Sequence, residues 1–170
     1  MPSAAHRPPA PLAELRSKAQ ETLSSLRPDE YSLRTWINTA RVAFEAGERA
    51  WNDGRATGDG RKVEEAFLEY KKAAGVMQLI LKHHGYADFK RTRPPEYFSW
   101  MDLSRVAKEA HRANEDVLHW LEKREAEWTQ QHGRPPPPTK ERAAPNGAAA
   151  PAPARPPSPK SRPAPPSDET

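Results

Sequence analysis

Between Ser32 and Gly85 the apolar residues fall on one helical stripe, twice over. Leu33, Trp36, Ile37, Ala40, Phe44, Gly47 and Trp51 make the first; Val63, Ala66, Phe67, Tyr70, Ala74, Met77 and Leu81 make the second. Both keep offsets of 0, 3, 4, 7, 11, 14 and 18, displaced by thirty positions. That spacing holds a single face of an α-helix apolar and suits no strand. Each stripe needs a partner to leave water and the nearest is the other, so the pattern predicts an antiparallel helical hairpin. A third copy of the offsets runs through Leu103, Val106, Ala107, Ala110, Asn114, Val117 and Leu121, which adds a further helix to the body. Asn114 interrupts that stripe with an amide, a device that fixes register or partner choice at a cost in stability.

The flanking residues set expected boundaries. Leu12, Leu15, Ala19, Leu23 and Leu26 recur at helical spacing and predict a short first helix, stopped by Pro28. Ser32 is placed to cap the first long helix by accepting a first-turn N–H, and Gly54 to end it in the left-handed conformation. Ala40, Ala43, Ala46, Gly47 and Ala50 mark its tightest seam, since a mid-helix glycine otherwise costs about 1 kcal/mol relative to alanine. Gly54 to Gly60 reads as a flexible connection; it lacks the preceding strand and the Gly-Lys-Ser/Thr of a phosphate cradle. The second long helix is expected from Arg61 to His84 with Gly85 as its stop, placing His83 and His84 at the negative end of the helix dipole. Tyr86, Phe89, Pro94, Pro95, Tyr97 and Phe98 form a connector too apolar for a free loop, expected to pack across the hairpin. The last helix is expected to start near Ser99 or Asp102 and to reach Gln131.

Composition divides the chain in three. Of twenty prolines, thirteen lie from Pro135 to Pro166 and four in the first eleven residues. Residues 1–11 are therefore expected to be extended and mobile, 12–133 to fold as one helical domain, and 134–170 to form a disordered, Pro/Ala-rich basic tail. That tail carries six Lys/Arg against three Asp/Glu, +3 of the chain's +4. The helical part is nearly neutral and has no electrostatic footprint for nucleic acid. The absence of cysteine removes disulfides, thiolate metal sites and a cysteine nucleophile. The N-terminus lacks the apolar segment of a signal peptide and the longest apolar run, around Val76 to Leu81, is too short to span a bilayer. The expectation is a soluble cytoplasmic chain.

Candidate chemistry is sparse. His111, Glu115 and His119 share one face of the last helix, but a third ligand from one straight helix lies too far along the axis to close a tetrahedral metal site. They read as a solvated face. Glu64, Glu65 and Glu69 suit helix ion pairs, with Glu65 facing the lysines of the next turn. No nucleophile, base and acid fall in any readable motif, so no enzyme, cofactor or metal is expected. The spare tryptophans Trp51, Trp120 and Trp128 are candidate exposed anchors for a second copy or a partner; the alternative is that all five tryptophans complete the monomer core. Pro135 to Lys140 matches the PxxPxK pattern of a polyproline ligand for an SH3 domain, through Pro135, Pro138 and Lys140. Ser158-Pro159 has the form of a proline-directed phosphorylation site.

The run Tyr31-Ser32-Leu33-Arg34-Thr35-Trp36, the small residues through Ala50, and Glu65-Ala66-Phe67-Leu68-Glu69-Tyr70-Lys71-Lys72 together resemble the MIT-like dimerisation domain. That domain stands at the N-terminus of ubiquitin-specific protease 8 and of AMSH-type deubiquitinases. The resemblance spans about residues 12 to 131 and departs from the family at the Gly-rich loop and the aromatic connector. It implies an all-α, antiparallel three-helix MIT-like bundle with a short N-terminal helix and a long C-terminal one. It also implies a non-catalytic interaction and dimerisation module in ubiquitin-linked endosomal sorting. The partners implied are a second copy, ESCRT-type proteins or a deubiquitinase. The candidate partner-binding residues in this sequence are Trp51, Phe67, Tyr70, Asn114, Trp120 and Trp128. The alternative from the residues is a tetratricopeptide-like peptide-binding scaffold unrelated to ubiquitin, which the Ala66, Phe67 and Tyr70 cluster also fits. Against it, no thirty-four-residue period continues.

Overall fold

Two glycines let the two helices of the expected hairpin touch. In the computed structural model, which describes residues 7–139, a Cβ built on Gly47 would lie 2.9 Å from Tyr70 Cδ1, and one on Gly54 2.7 Å from Val63 Cγ2. These pairs belong to α2, Leu33–Thr57, and α3, Gly60–Lys82. As the α2 partner advances the α3 partner recedes, so the two helices run antiparallel. Around them lie α1, Leu12–Ser24, a 3₁₀ turn at Pro28–Glu30, α4, Tyr86–Thr92, and α5, Pro95–His132. The described residues are all helix and connection, with no strand. Gly60, at the start of α3, sits against Arg124, late in α5. α5 is therefore antiparallel to α3 and parallel to α2, and each of the three packs on the other two. No helix among the described residues is long and apolar enough to cross a membrane.

The caps explain where α2 and α3 meet. Ser32 Oγ accepts the Thr35 N–H at 3.2 Å, as its position predicts. The other end differs from expectation: α2 continues past Gly54 to Thr57 and is closed by Gly58, whose φ of 72° is the left-handed form. Gly54 is a seam residue, small because Val63 occupies the space of its side chain. The expected seven-residue loop shrinks to Gly58 and Asp59, and the Asp59 carboxylate caps α3 by accepting the Arg61 N–H at 3.0 Å.

The first stripe is buried from Trp36 to Trp51. The second holds only halfway. Val63, Ala66, Phe67 and Tyr70 are buried, but further on Ala73, Val76 and Ile80 are inside while Ala74 and Leu81 face out. The buried face of α3 has turned by roughly a quarter of a circle, because α1 now covers it: Leu23 packs where a Cβ on Gly75 would stand. Matching α3 to α2 position by position missed that second neighbour. On α5, Leu103, Ala110, Val117 and Leu121 are buried as the stripe predicts, whereas Val106 is exposed.

Three further boundaries move. α5 begins at Pro95, a residue suited to the first helical position, and the aromatic connector folds into α4. Phe89 of α4 is buried beside Tyr97, with Tyr86 edge-on to Trp100 at 5.8 Å. At the N-terminus, residues 7–11 are not free: Ala10 is buried, its N–H donates to Glu64 Oε1 at 2.7 Å, and the Leu12 N–H donates to Glu125 Oε2 at 2.9 Å. Residues 134–139, assigned to the tail, also pack back. Pro136 is buried and the Thr139 N–H donates to Glu14 Oε2 at 2.8 Å. Residues 1–6 and 140–170 lie outside the described residues.

The seam makes a sign test. Helix propensity alone says Gly54→Ala stabilises by about 1 kcal/mol. Overpacking against Val63, whose backbone N lies 3.0 Å from the new Cβ, costs about 1–3 kcal/mol. Urea denaturation should show a net loss of roughly 1 kcal/mol; a gain would mean the helices stand further apart.

Candidate functional site

Half of the predicted partner-binding residues turn inward. Phe67 has no exposure, and Tyr70 and Trp51 are buried. Trp51 is therefore corrected from exposed anchor to core residue, with Arg55 laid over its ring at 5.7 Å. Phe67 likewise presents nothing to a partner. Trp120 is half-buried against the core, under the Arg124 guanidinium at 5.3 Å. Trp128 is half-buried and stacks on His132 at 3.7 Å, its indole N–H without an acceptor. Asn114 is half-buried with its Oδ1 lacking a donor. Arg124 fills the space left by the missing side chain of Gly60, which pins the far end of α5 to the start of α3. His111 pairs with Glu115 at 3.5 Å on an exposed face, and His119 is exposed beside them. Glu65 takes Lys62, one turn back, at 3.0 Å, and not the lysines ahead of it. Of the polyproline motif, Pro135 and Pro138 are exposed on either side of buried Pro136. Lys140 and Ser158-Pro159 lie outside the described residues.

The residues that do open onto solvent together are on α2 and α5. These parallel helices leave a groove of about 980 Å³ between Arg34–Glu48 and Pro95–Ala113. Its floor is apolar, from Ile37, Phe44, Leu103 and Ala110, with the Tyr70 ring reaching it from α3 and Val106 standing 37% exposed at its edge. Its rim carries Glu45, Glu48, Glu96, Asp102 and Glu109 against Arg34 and Arg41. Asp102 is paired with Arg105 at 3.0 Å, and Arg41 donates to Asn38 Oδ1 at 2.7 Å. The four glutamates form no ion pair with any described residue. Next to the groove Phe98 and Met101 project from the first turns of α5, 71% and 51% exposed. The groove thus presents an apolar floor with four unpaired glutamates on its rim.

A second cluster joins the turn before α2 to the end of α3. Asp29, His83 and His84 bring their ligand atoms within 4.8 Å of one another. The partners of His83 decide its chemistry. Its Nδ1 faces the Gly85 N–H at 3.0 Å, which can only donate, and its Nε2 faces the Tyr31 carbonyl at 3.1 Å, which can only accept. His83 is thus the Nε2–H tautomer with both nitrogens engaged, and has no lone pair for a metal. The cluster is a clasp. Asp29 Oδ1 accepts from the His84 backbone N–H at 2.9 Å and pairs with His84 Nδ1 at 2.7 Å, while the Trp36 indole donates to the Pro28 carbonyl at 2.7 Å. The sequence signal for it was a histidine pair beside a helix stop; Asp29, 55 residues away from His84, could be joined to it only by the fold. No family model, no curated protein and no solved structure matches the chain.

The clasp carries a pH signature. The Asp29 carboxyl is held below its ordinary value of 3.8, first by the His84 backbone N–H and then by the His84 ring. A depressed folded value means the contribution is complete above the unfolded carboxylate range and is lost as pH falls through the folded one. The Tm gap between wild type and Asp29→Asn should narrow as the pH falls below 3.8. A gap unchanged through the acid limb would deny the clasp its charge.

Proposed function

We propose that the chain is a non-catalytic protein-interaction module with an MIT-like three-helix body formed by α2, α3 and α5, acting in ubiquitin-linked endosomal sorting beside a deubiquitinase. The groove between α2 and α5 is its docking surface, and the segment it takes is an amphipathic helix with basic residues flanking an apolar stripe. One observation carries this reading: an apolar floor whose rim holds four unpaired glutamates beside Arg34 and Arg41. Burial of a partner's apolar stripe supplies affinity at about 25 cal/mol per Å², and the acids select the sign of its charge. The link to ubiquitin rests on the resemblance of Tyr31 to Trp36 and Glu65 to Lys72 to the dimerisation domain of deubiquitinases. Self-association belongs to the same reading through Phe98 and Met101, a more exposed apolar pair than any tryptophan of the described residues.

Val106→Asp tests the groove without touching the core. Titration of the full chain with a basic amphipathic helical peptide, followed by calorimetry, should show binding that this variant weakens by at least about tenfold, or 1.4 kcal/mol. Equal affinity for variant and wild type would remove the groove from the mechanism. Light scattering on the same samples should return a dimer mass that Phe98→Glu with Met101→Glu converts to monomer; a wild-type monomer at high concentration would remove self-association.

A further inference from the structure

We propose that the chain carries a second docking element, independent of the groove: the body holds residues 134–138 as a ready-made polyproline II ligand for a domain with an aromatic-lined groove. The sequence dictates the conformation. Pro135, Pro136, Pro137 and Pro138 each have φ fixed near about −65°. Residues 134–137 each precede a proline, which drives ψ into the extended range. The two restrictions together define polyproline II, and residues 135–138 are in neither helix nor strand. Such a helix has about three residues per turn, so the segment has three edges: 134 with 137, 135 with 138, and 136 with 139.

Exposure shows which edge the body takes. Pro136 is buried and Thr139 half-buried, whereas Pro135 and Pro138 are both exposed; Arg134 is exposed and Pro137 half-buried. The body therefore grips the 136/139 edge and turns the PxxP edge to solvent, with about 9 Å along the axis between Pro135 and Pro138. Aromatic grooves for polyproline read prolines at that spacing, so a partner can take this edge while the body keeps the opposite one. Both ends of the segment are fixed. Gly133, left-handed at φ 65°, closes α5 by donating to the Thr129 carbonyl at 2.8 Å, and the Thr139 N–H donates to Glu14 of α1 at 2.8 Å. Fixing a ligand in its bound form removes part of the ordering cost of association. The N-terminal proline run provides the contrast. Pro9 and Ala10 are buried, Pro8 and Pro11 half-buried, and the Ala10 N–H is taken by Glu64. That run offers no exposed proline pair and serves the body alone.

The probe is an SH3 domain that takes PxxPxK peptides, labelled in ¹⁵N and titrated with the unlabelled full chain. Wild type should shift the amides around the probe's aromatic groove. Pro135→Ala/Pro138→Ala should weaken binding at least about tenfold, while Pro8→Ala/Pro11→Ala binds as wild type does; circular dichroism checks that both keep their helix. No binding by wild type would overturn the proposal. Undiminished binding by Pro135→Ala/Pro138→Ala would also overturn it, because the ligand would then lie at another proline pair. A loss confined to Pro8→Ala/Pro11→Ala would do the same. Glu14→Ala separates display from masking, since it frees the Thr139 N–H. A displayed ligand then binds with equal or lower affinity, as the proposal requires; tighter binding would mean that the body hides the motif, and would overturn it. Val106→Asp should bind the probe as wild type does, and a loss there would refute the independence of the two sites.

Discussion

The close approach of α2 and α3 at Gly47 and Gly54 is the constraint on which the other elements depend. Without side chains there, the Tyr70 ring and the Val63 methyl sink into the opposite helix, and Phe67 between them leaves water completely. Truncating such a residue to alanine typically costs about 3–5 kcal/mol, a large share of the 5–15 kcal/mol that holds an ordinary domain together. A mid-helix glycine costs about 1 kcal/mol in helix propensity, so the seam is favourable only because the packing it permits is worth more.

That approach also determines what is left open. With α3 pressed on α2, α5 has to lie across both, antiparallel to one and parallel to the other. Arg124 over Gly60 fixes its far end, and the aromatic group of Phe89, Tyr97 and Trp100 fixes its near end. Between those two points lies the α2–α5 groove with its glutamate rim. The same logic places the terminal segments. Backbone N–H groups of Ala10, Leu12 and Thr139 are each taken by a glutamate side chain of a helix, so segments whose proline content reads as free chain become part of the body.

How far the sequence could be read follows from the range of each interaction. Helix periodicity and the Ser32 cap are local, and both were legible in residue spacing. The seam was legible too, because a glycine in mid-helix has to be explained by something close to it. Gly54 was misread as a terminator, since a seam glycine and a capping glycine look alike until the partner helix is in place. Ala74 and Leu81 were misassigned because one stripe cannot describe a helix with neighbours on two sides. The Asp29 clasp and the groove join residues distant in sequence, and nothing in the spacing of either partner announces the other. The tryptophans were misleading for a related reason: a large ring serves a core or an interface equally well, and Trp51 was claimed by the core.

A double-mutant cycle on Gly47 and Tyr70 tests the seam most directly. If the Tyr70 ring occupies the space of a Gly47 side chain, Gly47→Ala should destabilise the wild-type protein but cost little or nothing in a Tyr70→Leu background, where the ring is gone. The coupling should fall in the 0.5–3 kcal/mol range of residues in contact, with the double variant more stable than the two single losses predict. Strictly additive losses would contradict the account, since the helices would then not meet at Gly47.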